Sequence, residues 1–208
     1  MTDSISVKEI IKIMLKNLWI ILLCAIVAGG ALGVLAKTKQ STDFISERDL
    51  TIGHNLQSKS NINPNSQLNA DLNMIPTYAD LVKDKSILKS AHANLPKKIK
   101  KQYTVKQLKG TIDVSTKPDS LVIELKAKTS SSKSSVAIVN AVATAVKDEM
   151  PELQADSGEV TLLAKATSAE VTTVTHPSIK KYAVLGFALG ALLGIIIAFT
   201  RVTWKKFV

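Results

Sequence analysis

The feature that most restricts this 208-residue chain is a pair of apolar stretches, one near each end, with no Asp, Glu, Lys or Arg in either. The first runs from 17 to 36, between Lys16 and Lys37, and the second from 182 to 200, between Lys181 and Arg201. At 20 and 19 residues and about 1.5 Å of rise per helical residue, each reaches roughly 30 Å, one hydrocarbon core. Lipid offers no water to satisfy a backbone, so helix is the form such a stretch takes there. The residues from 37 to 181 are then expected on one side of a membrane, with both short ends on the other.

Sidedness follows from segment length more than from charge, because long domains cross largely regardless of their charge. The N-terminal tail, 1–16, carries Lys8, Lys12 and Lys16 against Asp3 and Glu9, and the C-terminal tail, 201–208, carries Arg201, Lys205 and Lys206 with no acid. Both tails read as cytoplasmic, which puts 37–181 outside. Trp19, Trp204 and Phe207 at the inner interface and Tyr182 at the outer one fit an aromatic belt. A cleaved signal peptide is the competing account of the first stretch, with Ala31-x-Gly33 as a mimic of a cleavage site. The apolar run is longer than the roughly 7–15 residues usual in such signals, which favours a retained span.

The single cysteine, Cys24, lies inside the first stretch, so the outer segment has no disulfide and must stand on its core alone. That segment has the size of one ordinary domain. The chain has 27 basic and 17 acidic residues; six and two of these lie in the tails, leaving 21 against 15 outside, a net of +6. A basic outer segment points away from nucleic acid and toward anionic surfaces, lipid headgroups or acidic glycans, or simply to a soluble face.

Within the outer segment, Phe44, Ile45, Leu50 and Ile52 suggest a strand over 43–52. The stretch 53–73, rich in Asn, Ser and Gln with Pro64, reads as a polar loop. Pro76 is expected to open a helix whose stripe is Tyr78, Leu81, Val82, Leu88 and Ala91, ending near Asn94 and Pro96. Thr104 should cap a short helix that Gly110 stops. The period then falls to two: Ile112 and Val114, a turn at 117–120, then Leu121, Ile123, Leu125 and Ala127, the pattern of a hairpin. After Ser130–Ser135 comes an amphipathic helix with Val136, Val139, Val142, Ala143 and Val146 on its buried face, stopped by Pro151. A last strand, 160–166, leads through Val171 and Val174 to His176-Pro177 and the second span, and the first and last strands, both abutting the membrane, are placed to pair near it. The expected fold class is a membrane protein with two transmembrane helices flanking one α+β extracytoplasmic domain.

Converging catalytic groups are missing from the sequence. His54, His92 and His176 lie far apart without Cys or His partners at ligand spacing, and no Gly-x-Ser-x-Gly elbow or P-loop occurs. The expectation is a non-enzyme with no cofactor and no metal.

Three features rise above that background. Ala25, Gly29 and Gly33 in the first span, and Gly186, Gly190 and Gly194 in the second, repeat small residues every four positions. Such faces let helix backbones approach closely, within a chain or between chains. Lys97, Lys98, Lys100 and Lys101 form a cluster that contacts an anionic polymer or headgroups, or else is a solvated loop, the reading favoured here. Asn140 interrupts an apolar helix face, either bonding across the core or lying at its edge.

The order of these features carries a resemblance. A basic entry, Lys12-x-x-x-Lys16-Asn17-Leu18-Trp19-Ile20-Ile21, is followed by Thr77-Tyr78-Ala79-Asp80-Leu81-Val82, Ser86-Ile87-Leu88, the 108–125 hairpin region, Ala137-Ile138-Val139-Asn140-Ala141-Val142 and a Pro177 approach to a Gly-rich span. The chain resembles the Wzz-type chain-length determinants, or polysaccharide co-polymerases, and within them the Gram-positive capsular or exopolysaccharide branch. The resemblance implies an α+β outer domain, homo-oligomers, control of surface-polysaccharide length in concert with a polymerase or its glycan, and activation of a separate cytoplasmic tyrosine kinase. It makes Arg201, Trp204, Lys205, Lys206 and Phe207 the kinase-facing tail, and matches Asn140 and Pro177 to family positions. Departures are a single proline before the second span and a tail of only eight residues, and no long helical arm is evident. The alternative function is a two-span receptor for an anionic ligand; a wall-tethering module is a third.

Overall fold

The computed structural model describes residues 14–54 and 63–207, with side chains as far as Trp204. In chain order its elements are α1 (Leu18–Thr38), β1 (Ser41–Gly53), α2 (Pro64–Leu81), α3 (Lys85–Ala93), α4 (Lys97–Gln102), α5 (Val105–Thr111), β2 (Ile112–Thr116), β3 (Val122–Thr129), α6 (Ser132–Leu153), β4 (Glu159–Leu162), a 3-10 turn (Ser168–Glu170), β5 (Thr172–His176) and α7 (Ile179–Phe207). They divide into two compact units, one built on α1 and α7 and the other spanning Thr42–Val174.

The first unit is a pair of long apolar helices of 21 and 29 residues, each long and apolar enough to cross a membrane. The uncharged stretches lie inside them, apart from Asn17, which is the N-cap residue at the start of α1. The second helix begins three residues before 182 and continues without a break to Phe207, so the C-terminal segment is helix rather than a loose tail. Outside the seam where the helices meet, large apolar side chains stay open: Val27, Val184 and Leu192 are 62%, 70% and 59% exposed. Trp19 and Trp204 are exposed near the start of α1 and the end of α7, and Tyr182 near the start of α7.

The second unit is α+β, with one open sheet ordered β2-β3-β1-β4 and β5 also pairing with β1. β1 is central because it alternates: Ser46, Leu50 and Ile52 are buried while Glu47 is exposed. It runs antiparallel to β3 from Phe44↔Thr129 to Thr51↔Val122 and to β4 from Leu50↔Leu162 to Gly53↔Glu159. The first and last expected strands do pair, but at the Leu50–Gly53 end of β1 rather than at its Ser41 end beside the first span, where the pairing was expected. The hairpin is present too, with β2 against β3 from Ile112↔Ala127 to Thr116↔Ile123 and Asp119 at a φ of 55° in its turn. One face of the sheet is covered by helices; Leu50, Ile123 and Leu125 meet Ile138, Val142 and Val146 of α6 in a fully buried core.

Several expectations need correction. Residues 64–73 are not loop but the first half of α2, started by Pro64 in its first turn after Asn63, whose side chain accepts from the Asn65 N–H. The remainder of that expected loop, 55–62, lies outside the described residues. Pro76 is thus inside a helix, where burial of Ile75, Tyr78 and Val82 outweighs the one hydrogen bond it removes. The single helix expected over 76–94 is two, divided where Asp84 caps α3 by accepting from the Ser86 N–H at 2.7 Å.

Lys97–Lys101 is not a loop but α4. Thr104 forms a full capping box with Gln107, but Gly110 does not end α5, which runs into β2 one residue later. On α6, Val136 is half-buried and Ile138 takes its place in the core, and the helix runs two residues past Pro151. The last strand ends at Leu162 rather than 166, and β5 is a strand the pattern did not mark.

Candidate functional site

The residues with the tightest geometry are the small ones of the helix pair. Gly186, Gly190, Gly194 and Ala198 are the buried residues along one face of α7, and Ile21, Ala25 and Gly29 lie four apart among the buried residues of α1. As α7 ascends from Gly186 to Gly194, its contacts on α1 descend from Ala28 and Gly29, through Cys24 and Ala25, to Ile21, so the helices run antiparallel. A Cβ added at Gly186 would stand 2.6 Å from the Ala28 carbonyl oxygen and 2.9 Å from the Gly29 Cα. At Gly190 it would meet the Cys24 carbonyl, with Ala25 Cα at 2.8 Å, and at Gly194 the Ile21 Cα at 2.7 Å.

Backbone contacts of this kind cannot retreat, so the α7 glycines have no substitute. Gly29 is nearly as tight, at 3.2 Å from the Ala183 carbonyl, whereas Gly33 has ordinary clearance of 3.6 Å and Gly30 faces open space. The glycine faces are occupied by each other within one chain. Ala198 extends the stripe and was missed by sequence reasoning, although its spacing of four from Gly194 marks it.

In the α+β unit, Asn140 is buried and bonds across the core. Its Nδ2 donates to the Ala166 carbonyl at 2.9 Å and its Oδ1 accepts from the Ala166 N–H at 3.1 Å, a two-point clamp on the chain after β4. The same Oδ1 accepts from Arg48 Nη1 at 3.1 Å, and Arg48 Nη2 donates to the Leu163 carbonyl at 3.4 Å. Arg48 Nε is buried with no hydrogen-bond partner.

A second polar knot ties the end of β1 to α2. The buried Asp71 accepts from the His54 backbone N–H at 2.8 Å, from its ring Nδ1 at 2.7 Å and from Gln67 at 3.1 Å, while His54 Nε2 lies 3.4 Å from Asp156. The Asp71 hydrogen bond holds the imidazole above its usual pKa against the opposing effect of burial. Burial alone would raise the Asp71 carboxyl, but the His54 and Gln67 donors override it and hold it below its ordinary range. Asp71 was missed because the helix was begun at Pro76; carried back to Pro64, the spacing 71, 75, 78, 82 puts a carboxylate on an apolar stripe. Gly158, at a φ of 71°, lies directly against the Gly53 backbone there, so only glycine fits.

The four clustered lysines are all exposed on α4; Lys100 donates to the Ala93 carbonyl at 3.3 Å, and His92 Nε2 lies 3.2 Å from the Lys100 carbonyl. A groove of about 460 Å³ opens between the α3–α4 corner (Asn94, Pro96), the exposed side of α6 (Lys133, Val136, Ala141) and the segment carrying Lys165 and Ser168. No acid lines it. Arg201 and Trp204 are exposed on the last turns of α7, and Pro177 follows a cis His176–Pro177 peptide between β5 and α7. Among the described residues, no three His, Cys, Asp or Glu side chains converge as metal ligands.

These features define a class: an α+β domain with one open sheet, flanked in sequence by two apolar helices that pair through a glycine seam. No family model matches the chain. It is 22% identical over 199 residues to a protein of Bacillus subtilis (strain 168) named as a probable capsular polysaccharide biosynthesis protein, YwqC, covering 96% of this chain and 78% of that relative. The chain is a distant relative of that capsule-related protein, in agreement with the resemblance carried by its sequence.

Proposed function

We propose that this protein is a non-catalytic membrane scaffold that sets the length or export of a surface polysaccharide and works as adaptor to a separate cytoplasmic tyrosine kinase. The observation that carries the reading is the helix pair. Its apolar side chains remain exposed after the two helices have packed, an arrangement costly in water and favourable in lipid. The likeness to a capsule-related protein along nearly the whole chain supports the polysaccharide part. In this reading both termini are cytoplasmic, Thr42–Val174 lies outside, several copies assemble beside the polymerase, and the exposed Arg201 and Trp204 belong to the face offered to the kinase.

The test is the size distribution of surface polysaccharide by gel filtration, with and without this gene, alongside tyrosine phosphorylation of the kinase. Altered chain length or lost polymer with the sugar-synthesis genes intact supports the scaffold, and reduced kinase phosphorylation supports the adaptor role. An unchanged profile in both sinks it.

A second reading, a two-span receptor for an anionic ligand, is favoured by the acid-free groove between Lys133 and Lys165. Saturable binding of a defined acidic oligosaccharide to the purified full chain, with polysaccharide length unaffected by deletion, would select it.

A further inference from the structure

Where β1 ends, one imidazole stands between two carboxylates from different parts of the α+β unit. His54 Nδ1 lies 2.7 Å from Asp71 Oδ1 on α2, and Nε2 lies 3.4 Å from Asp156 Oδ1 in the connection between α6 and β4. The two acids are unlike, with side chains 5% and 89% exposed. Asp71 also accepts from the His54 backbone N–H on its other oxygen and from Gln67. Asp156 has no side-chain partner except His54 among the described residues.

Imidazole carries a hydrogen on both nitrogens only when protonated; neutral, it has one. Protonated His54 therefore bonds Asp71 and pairs with Asp156 at once, joining β1, α2 and the α6–β4 connection. Loss of the proton leaves one donor for two carboxylates. Burial decides between them, because a carboxylate out of water loses more than an exposed one when its donor is withdrawn. The remaining hydrogen stays on Nδ1, facing Asp71, and Nε2 turns a lone pair toward Asp156. Gln67 Nε2 lies 3.0 Å from Nδ1 and 3.1 Å from Asp71 Oδ1, and the charged acceptor takes its hydrogen.

Two other titratable groups stand nearby. The buried Tyr78 of α2 stays a neutral phenol, since burial first, then Asp71 and Asp156, hold it above its ordinary pKa. Glu159 of β4, opposite Gly53 in the ladder, is exposed and makes no ion pair with the ring.

We propose that His54 is a proton-operated latch: protonated, it ties the α6–β4 connection, 154–158, to α2, and neutral, it keeps α2 and lets the connection go. The Gly158 backbone, at its φ of 71°, lies against Gly53 and so brings Asp156 beside the ring. Inside the connection, the Ser157 N–H donates to the Gln154 carbonyl at 3.0 Å, a local bond that reports whether the turn is held. His54 is raised, chiefly by its Asp71 hydrogen bond, so the latch is closed below about 6.5 and opens as pH rises through the raised value. The latch goes beyond the scaffold reading and does not depend on it; in that reading it faces the medium outside the cell.

The test is imidazole-15N labelling of the three histidines of the full chain in detergent micelles, with His92→Gln and His176→Gln to identify the His54 signals. His54 should titrate above the ordinary histidine value, and at high pH its shifts should be those of the Nδ1–H form. Amide exchange at Ser157, corrected for its intrinsic pH dependence, should quicken about two- to fivefold as His54 loses its proton, the weight of an exposed ion pair. Asp156→Asn, at an exposed position, should abolish that step and leave the Nδ1–H form in place.

Exchange at Ser157 unmoved across the His54 titration overturns the proposal, as does the same step persisting in Asp156→Asn. A neutral His54 with its hydrogen on Nε2 also overturns it, because the ring would then have kept Asp156 and released Asp71.

Discussion

The helix pair and the α+β unit are both held by close packing, but they achieve it with opposite materials. In the α+β unit the tight contacts are between large side chains, and Leu50, Ile123, Leu125 and Ile138 are fully buried. In the helix pair the tight contacts are between backbones, and the large side chains point outward. The hydrophobic effect explains the first, since removing apolar area from water drives it. It does not explain the second in lipid, where neighbouring chains are as apolar as leucine and only shape and dispersion remain. The lesson is that the same volume change should act in opposite ways: enlarging is fatal in the seam, and shrinking is fatal in the core.

The largest expected effect breaks the seam. Gly190→Leu should separate the helices, an overpacking cost above about 3 kcal/mol because the facing atoms are backbone. Spin labels at the exposed Val27 and Leu189, on a Cys24→Ser background, should pass from a narrow to a broad distance distribution. Gly33→Ala, with 3.6 Å of clearance, should leave the narrow distribution unchanged.

The reciprocal experiment is Leu50→Ala. It should cost the α+β unit about 2–5 kcal/mol in denaturant unfolding followed outside the helices, while the label distances stay fixed.

Asn140→Ala should cost about 2 kcal/mol, because the Ala166 N–H and carbonyl lose partners in a buried site. The same melt should show earlier hydrogen exchange at Ala166.

The His54–Asp71 pair sharpens the picture through pH. His54 is raised, so its contribution is complete below the ordinary value of about 6.5 and is lost as pH rises through the raised one. Asp71 is lowered, so its contribution holds above the ordinary carboxylate range and is lost as pH falls through the lowered value. Stability of the α+β unit should therefore decline from mildly acidic toward alkaline pH, and Asp71→Asn should flatten that slope while costing about 1–2 kcal/mol at pH 6.

The smallest effect is Asp49→Asn. Burial first, then Glu124 and Glu47, raise the Asp49 carboxyl, so its ionised form is a cost to the folded monomer that disappears at low pH. The substitution should stabilise the dispersed chain by about 0.5 kcal/mol at pH 7 and by nothing at pH 3.

Legibility followed the range of the interactions. The two apolar stretches, the hairpin of Ile112 to Ala127 and the Thr104 cap were readable because each is a local pattern whose partner lies within a few residues. The start of α2 was misread because Asn and Gln look like loop until Asp71, Ile75 and Tyr78 are seen to share one buried side. Gly110 and Pro151 were read as stops by their intrinsic preference, yet a helix continues through each, the former as far as Thr111 and the latter to Leu153. β5 carried no marked period because it is short and mostly exposed.

What the sequence determined by itself was where backbone can be satisfied without water and where side chains are too small to separate two helices. Both are properties of consecutive residues at a fixed spacing, so no folding is needed to see them. What only the tertiary structure decided was pairing at a distance. It set Gly186, Gly190 and Gly194 against α1 of the same chain, gave Asn140 the Ala166 backbone to hold, and gathered His54 and Asp71 from different elements. Strand register and helix packing create these neighbours, and residues 17 to 173 apart in the chain carry no local mark of having been chosen for one another.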